Sequence, residues 1–305
     1  MVRVVTLMTV FGLSALLLSP ALAGTAPLSE AEQEAQLKAA WAAAAKTATR
    51  GPAEIKLLDQ AALTLTDDES FVPAAETNQI MVALGNGTNA ARYGLIVSRK
   101  PGAQWMVLIS WVKEGYVRDG DAKEWQADAL LDSLREGTEA GNTERVAHGL
   151  PALDVVGWVE PPAYDNATHR LVWSLSLRDH DAPADRPQTI NYNTYALGRD
   201  GFFSLNLVTG SDRVAVDKDV VRQLLGTLVY VPGKRYEDFD ESTDKVAAYG
   251  LAALIGAVAM KKLGLLALGA AFFLKIWKVG MLAVVGAIAG LRRFFKRRER
   301  PTANS

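Results

Sequence analysis

A long apolar segment near the C-terminus limits the structures that this chain can adopt. Nearly every residue of 246–291 is apolar. The exceptions include four lysines, Lys261, Lys262, Lys275 and Lys278. The lysines divide the segment into runs at 246–260, 263–274 and 279–291, and each run is shorter than the roughly 20 residues that cross a bilayer as a helix. A crossing must therefore include lysines or hold them near an edge, where their long side chains reach the polar region. The segment predicts a membrane-anchoring helical region over 246–291.

The spacing of the lysines also bears on the partners of this region. In one long helix, Lys261 and Lys275 would lie on the same face, because they are close to four helical turns apart. Such a stripe suits contact with a partner helix, a second subunit or lipid headgroups. We therefore expect membrane lipid as a partner, with an oligomer formed through this region as a further option.

Both ends of the chain indicate export and attachment to a membrane. Residues 1–23 hold a basic residue, Arg3, then an apolar run and the small residues Ala21 and Ala23, which are the parts of a secretory signal peptide. We expect cleavage after Ala23, and an uncleaved signal anchor is the alternative. The tail 292–305 contains the basic stretch "RRFFKRRER", and such clusters stay cytoplasmic. One crossing of a bacterial inner membrane is expected, with a periplasmic domain and a cytoplasmic tail. A hairpin of two crossings is the alternative.

The body of the chain between these ends is acidic. Residues 24–245 carry 22 basic and 33 acidic side chains. This balance argues against nucleic acid as a partner, because nucleic-acid binding needs a basic face. The chain has no cysteine, which excludes disulfides, thiolate metal sites, a cysteine nucleophile and a lipid-modified cysteine. Attachment to the membrane must therefore come from the polypeptide itself.

Hydrophobic patterns in the body alternate between helix and strand. An alanine-rich helix from Ser29, with acids in its first turn, predicts a helical lead-in over 24–50. The domain predicted over 51–240 has helices at 74–84, 123–147 and 217–228, hairpins at 51–65, 153–177 and 189–208, and a central strand at 105–112. This order predicts an α+β fold, an antiparallel sheet with helices on one face.

Three stretches of the chain are similar to a known bacterial family. They are "GYVRDGDAKEWQADALLDSLREGTEAGNTERVAHGLPALDVVGWVEPPAYDNATHRLVWSL" from Gly115, "NYNTYALGRDGFFSLNLV" from Asn191 and "RYEDFDESTDKVAAYGLAALI" from Arg235. In these stretches the chain resembles a family of predicted membrane-anchored proteins catalogued as domain-of-unknown-function family 2167. The resemblance implies a secreted domain with a C-terminal anchor. It implies no activity, because the family is defined without one.

The stretch "WVEPPAYDNATHR" is the candidate site. It gathers five polar side chains within a short span, Glu160, Tyr164, Asp165, His169 and Arg170. Glu160 and His169 leave the ends of two predicted strands, and a carboxylate that holds a histidine is a recurring acid–base pair. The candidate ligand-binding residues are Trp158, Tyr164, Asp165 and Arg170. The structural alternative is that the prolines and Asp165 form a turn, while Tyr164 and His169 pack the loop.

Metal and cofactor chemistry finds little support in the sequence, and neither is predicted. The three histidines, His148, His169 and His180, have no ligand spacing. An acidic cluster formed by Asp238, Asp240 and Asp244 lacks the glycine and the terminal glutamate of a calcium loop. Phosphate-binding loops, dinucleotide glycine patterns and serine-nucleophile turns are also missing from the sequence.

Three functional hypotheses follow. The first is a non-enzymatic envelope module that binds a partner protein or a cell-wall component. The second is an envelope hydrolase that uses Glu160 and His169 as its acid–base pair. The third is a membrane-linked sensor, which would need a partner for output because the tail after Leu291 is too short for an output domain.

Overall fold

The protein has an α+β fold, as the sequence predicts. The computed structural model describes residues 30–84, 86, 88–147, 151–183 and 188–255. Within these residues the helices are α1 (Glu30–Thr47), α2 (Ala74–Ala83), α3 (Ala127–Ala147), α4 (Val214–Thr227) and α5 (Ala252–Ile255). Short 3₁₀ turns lie at Gly120–Lys123 and Tyr236–Asp238.

A large antiparallel sheet forms the centre of the domain. The strands are β1 (Thr49–Arg50), β2 (Ala53–Leu57), β3 (Ala61–Leu65), β4 (Glu69–Pro73), β5 (Arg92–Ser98), β6 (Met106–Val112), β7 (Tyr116–Arg118), β8 (Leu153–Asp165), β9 (Arg170–Asp179), β10 (Thr189–Leu197), β11 (Phe202–Gly210), β12 (Val229–Tyr230) and β13 (Val246–Gly250). Eight of them form one sheet in the order β1-β4-β5-β6-β11-β10-β9-β8. A second sheet has the order β12-β3-β2, and β13 pairs in parallel with β7.

Helices cover both faces of the large sheet, so the prediction of helices on one face is wrong. In β6, Val107 and Ile109 join the core that includes α4 and the small β12-β3-β2 sheet. The alternate residues Met106 and Leu108 join a second core that includes α1 and α2. A strand that is apolar on both faces must be covered on both, because each uncovered face would expose apolar surface to water.

The helix predicted as a lead-in belongs to the domain. Ala40 and Ala44 of α1 are buried with Ile80 and Met81 of α2. The small alanine side chains let the two helices approach closely, and β1 then joins the edge of the sheet beside β4. The domain boundary predicted at residue 51 therefore lies too late in the chain.

The start of the predicted membrane region also belongs to the domain. Residues Val246–Gly250 form β13, and the following Leu251 and Ile255 are almost completely buried. Both oxygens of the Asp121 carboxylate accept bonds from the backbone, from Leu251 N at 3.1 Å and Ala252 N at 3.0 Å. The boundary predicted at residue 246 is therefore wrong, because these apolar residues are buried in the domain's own core.

Other predictions fall outside the described residues. They concern the signal peptide at 1–23, the rest of the anchoring region at 256–291 with its four lysines, and the tail at 292–305. Among the helices that the structure does describe, none is long and apolar enough to cross a membrane.

Candidate functional site

The candidate stretch is mostly strand and not a loop. β8 continues through both prolines to Asp165, and only residues 166–169 form the turn. β8 tolerates the prolines because it is the edge strand of the sheet, and a register shift between Glu160 and Ala163 takes up an extra residue there. The loop predicted between the two strands is therefore much shorter than expected.

Asp165 closes this short turn. Its carboxylate accepts bonds from Thr168 Oγ1 at 2.6 Å and from Ala167 N at 2.9 Å. These bonds hold the pKa of Asp165 below its usual value. The side chain therefore stabilises the hairpin from within, as aspartate commonly does in turns.

The structure does not bring Glu160 and His169 together. Glu160 lies opposite Ser174 in the β8–β9 register, well away from the turn. It forms a close ion pair with Arg222 of α4, and Lys218 Nζ lies 3.7 Å from its second oxygen. The predicted acid–base pair is wrong, because the strand carries Glu160 to the helix and leaves His169 at the turn.

The Glu160 contact extends into the core. Arg222 Nε donates a bond of 3.0 Å to the hydroxyl of Tyr192, which is completely buried. Burial raises the pKa of Tyr192, and the bond to Glu160 adds to this effect. The ion pair between Glu160 and Arg222 therefore holds the edge strand β8 against α4.

His169 has a different carboxylate partner, Asp119. The hydroxyl of Tyr164 donates to Asp119 Oδ2 at 2.8 Å and lies 3.1 Å from His169 Nδ1. Because that hydroxyl donates to Asp119, its oxygen is left to accept the Nδ1–H of His169. Burial raises the pKa of Tyr164, and the bond to Asp119 adds to this effect. In a neutral ring, this Asp119–Tyr164–His169 network places the hydrogen of His169 on Nδ1 and the lone pair on the second nitrogen, Nε2.

Aromatic rings support the histidine. The ring of His169 stacks on Tyr236 at a centroid distance of 4.1 Å, and Tyr236 stacks on Tyr116 at 4.3 Å. Tyr116 in turn stacks on Phe239 at 3.9 Å. Tyr236 is only 4% exposed, and its hydroxyl donates to Val117 O at 2.8 Å. This aromatic stack, formed by Phe239, Tyr116, Tyr236 and His169, joins the hairpin turn to β7.

The remaining predicted site residues each bind a neighbouring element. Trp158 Nε1 donates to Ala127 O at the start of α3, at 3.2 Å. Arg170 Nη2 donates to Leu228 O after α4, at 3.3 Å. Both side chains therefore fix the position of the hairpin against helices.

A cavity that the sequence did not reveal lies between β4, β5 and α4. Its volume is about 450 Å³, and its lining includes Glu69, Lys100, Trp105, Arg213 and Asp217. These residues come from distant parts of the chain, so no local pattern marks them. A second, more open groove runs between α3 and β8. Within the described ranges, no three histidine, aspartate or glutamate side chains converge to hold a metal ion.

Comparison with known proteins gives a family but no activity. No curated protein matches the sequence. The solution structure of cyanobacterial PsbP (CyanoP) from Synechocystis sp. PCC 6803 is similar with a TM-score of 0.34 and 10% identity, over 61% of this chain and 93% of that chain. This likeness is too weak to carry an argument about function. The model of the family described as "Protein of unknown function (DUF2167)" matches residues 49–286, and the chain therefore belongs to the DUF2167 family.

Proposed function

We propose that this protein is a non-enzymatic binding module of the bacterial envelope. The domain lies in the periplasm, and the apolar region after Ile255 attaches it to the inner membrane. The signal-like segment at 1–23 and the basic tail at 292–305 support this arrangement. The ligand is a partner protein or a cell-wall component.

One observation carries the non-enzymatic part of the proposal: the side chains that suggested chemistry are occupied in structural contacts. Glu160 binds α4 through Arg222, Asp165 closes the turn, and Arg170 binds the backbone after α4. A general acid or base must present its reactive atom to a substrate. These groups instead use their polar atoms to join elements of the domain.

An envelope hydrolase is the second candidate, and the Asp119–Tyr164–His169 network favours it. Asp119 and Tyr164 would fix the ring of His169 so that Nε2 exchanges a proton with a substrate. The side chain of His169 is 23% exposed, so part of the ring faces solvent. The acid–base pair of such an enzyme would contain Asp119 in place of Glu160.

Incubation of the full-length protein with purified peptidoglycan sacculi separates the two candidates. We expect the protein to sediment with sacculi, or to cross-link to an envelope protein in cells, and to release no soluble fragments. Release that His169→Ala abolishes would contradict the proposal and support the hydrolase. His180→Ala is the matched control, because His180 is an exposed histidine that pairs with Asp154 elsewhere. A protein that neither sediments nor cross-links would also contradict the proposal.

Fusions to a reporter that is active only in the periplasm test the attachment. A fusion after Ile255 keeps β13 and α5 in place and should be active. A fusion after Ser305 should be inactive if the chain crosses the membrane once. An active fusion after Ser305 would mean two crossings or none, and membrane extraction would distinguish these.

A further inference from the structure

The cavity between β4, β5 and α4 contains a carboxylate that lacks a cationic partner. Glu69 is 4% exposed, and it lines the cavity. Its Oε2 accepts a bond of 2.7 Å from Thr66 N. Within the described part of the chain, its side chain makes no ion pair and no second hydrogen bond. A buried carboxylate is unfavourable unless a cation or several donors compensate its charge.

The other charged residues of the cavity compensate one another. Lys100 Nζ lies 2.7 Å from Asp68 at the rim. Asp217 accepts a bond of 2.6 Å from Thr209 Oγ1 and pairs with Arg213 at 3.4 Å. Each basic side chain of the lining is thus matched to an acid. Glu69 is the one acid among the lining residues that has no basic side chain of the lining as a partner.

The cavity also offers an aromatic surface and enough room for a ligand. Trp105 is partly buried against the core and lines the cavity. An indole face attracts cations, most strongly where water is excluded. The volume of about 450 Å³ lies within the range of small-molecule sites. A buried carboxylate and an indole in the lining of one cavity are a typical combination for binding an organic cation.

We propose that this cavity binds a small organic cation that carries a primary ammonium or guanidinium group. The cationic group contacts Glu69 and Trp105, and the rest of the ligand lies along the exposed side of α4. The inference rests on the proposed binding function and names its site and ligand class. A free amine and an amine carried by an envelope polymer share this chemistry.

Calorimetric titration of the full-length protein in detergent with cadaverine tests the site. We expect a dissociation constant in the millimolar range or tighter, and no heat of binding from 1-pentanol, which has the same chain but no charge. Glu69→Gln should weaken binding at least about tenfold, because it removes the charge that faces the ammonium group. Glu136→Gln, which alters an exposed carboxylate on α3, should change nothing.

A second variant tests the same cavity without changing Glu69, in case Glu69→Gln fails to fold. Val216 lines the cavity and is 71% exposed, so Val216→Trp fills the opening without disturbing the core. It should abolish cadaverine binding while circular dichroism stays unchanged. Absence of cadaverine binding to the native protein, or binding that survives both variants, would overturn the proposal.

Sacculi whose amines have been acetylated show whether the bound cation is a free amine or an amine of the polymer. They also distinguish failure of the cation site from failure of the proposed envelope-binding function. Sedimentation with native but not acetylated sacculi, together with cadaverine binding, indicates a polymer-borne amine. Cadaverine binding by a protein that sediments with neither kind of sacculi indicates a free amine. Sedimentation with both kinds of sacculi and no cadaverine binding would overturn the cation site and leave the envelope-binding function standing.

Discussion

Removal of the Tyr236 side chain should loosen the C-terminal end of the domain before the rest. Tyr236 is almost completely buried, stacks on two rings and donates a bond to Val117 in β7. Loss of a buried aromatic side chain costs on the order of 3–5 kcal/mol, whereas Tyr236→Phe removes only one hydrogen bond, worth about 1 kcal/mol. We therefore expect Tyr236→Ala to be less stable than Tyr236→Phe by about 2–4 kcal/mol.

Hydrogen exchange measured by mass spectrometry shows where this energy is lost. β7 pairs with β13, so Tyr236→Ala should speed exchange in both strands more than in the central strand β6. Tyr230→Phe is the matched control for Tyr236→Phe, because it removes a similar hydrogen bond, of 2.7 Å to Ala196 O, elsewhere in the domain. Urea denaturation followed by tryptophan fluorescence gives the free energies. Unchanged exchange in β13 of Tyr236→Ala would refute the reasoning that the aromatic stack holds this end of the chain.

Two further predictions concern packing and pH. Gly94→Ala should destabilise the protein by about 1–3 kcal/mol in urea denaturation, because a Cβ at this position would overlap the ring of Phe71. Gly157→Ala meets no atom within 4 Å and should cost much less. Arg199 donates bonds of 2.6 and 2.9 Å to Asp244 and thereby holds the pKa of that carboxyl well below its usual value. The ion pair thus stabilises the fold above about pH 4 and loses this effect as the pH falls. Arg199→Ala should therefore lower the free energy of unfolding near neutral pH and make its decline in acid less steep. Parallel profiles of unfolding free energy against pH for the two proteins would contradict this.

The sequence predicted those parts of the fold that local patterns determine. The hairpin of β10 and β11 forms as expected, because a glycine-containing turn joins two runs of strand-forming residues. β4 and β5 were not predicted. Pro73 and Gly94 lie in these strands and resemble turn signals, yet they pair with each other at the end of the β4–β5 ladder. Strand pairing of this kind depends on distant segments, which a pattern within one segment does not report.

Glu160 and Tyr164 of the hairpin are close in sequence but do not meet in space, whereas the residues of the cavity come from distant parts of the sequence and do share a lining. Residues four apart in a regular strand share a face, but the extra residue in the register between Glu160 and Ala163 turns Glu160 and Tyr164 to opposite faces of the sheet. Glu160 reaches α4 while Tyr164 reaches Asp119, and each is occupied in holding the hairpin in place. Glu69 in β4 and Trp105, which directly precedes β6, line the same cavity beside α4 only after the sheet has formed. Proximity in sequence is therefore a poor guide to which side chains of this protein meet, because strand faces and strand pairing decide that.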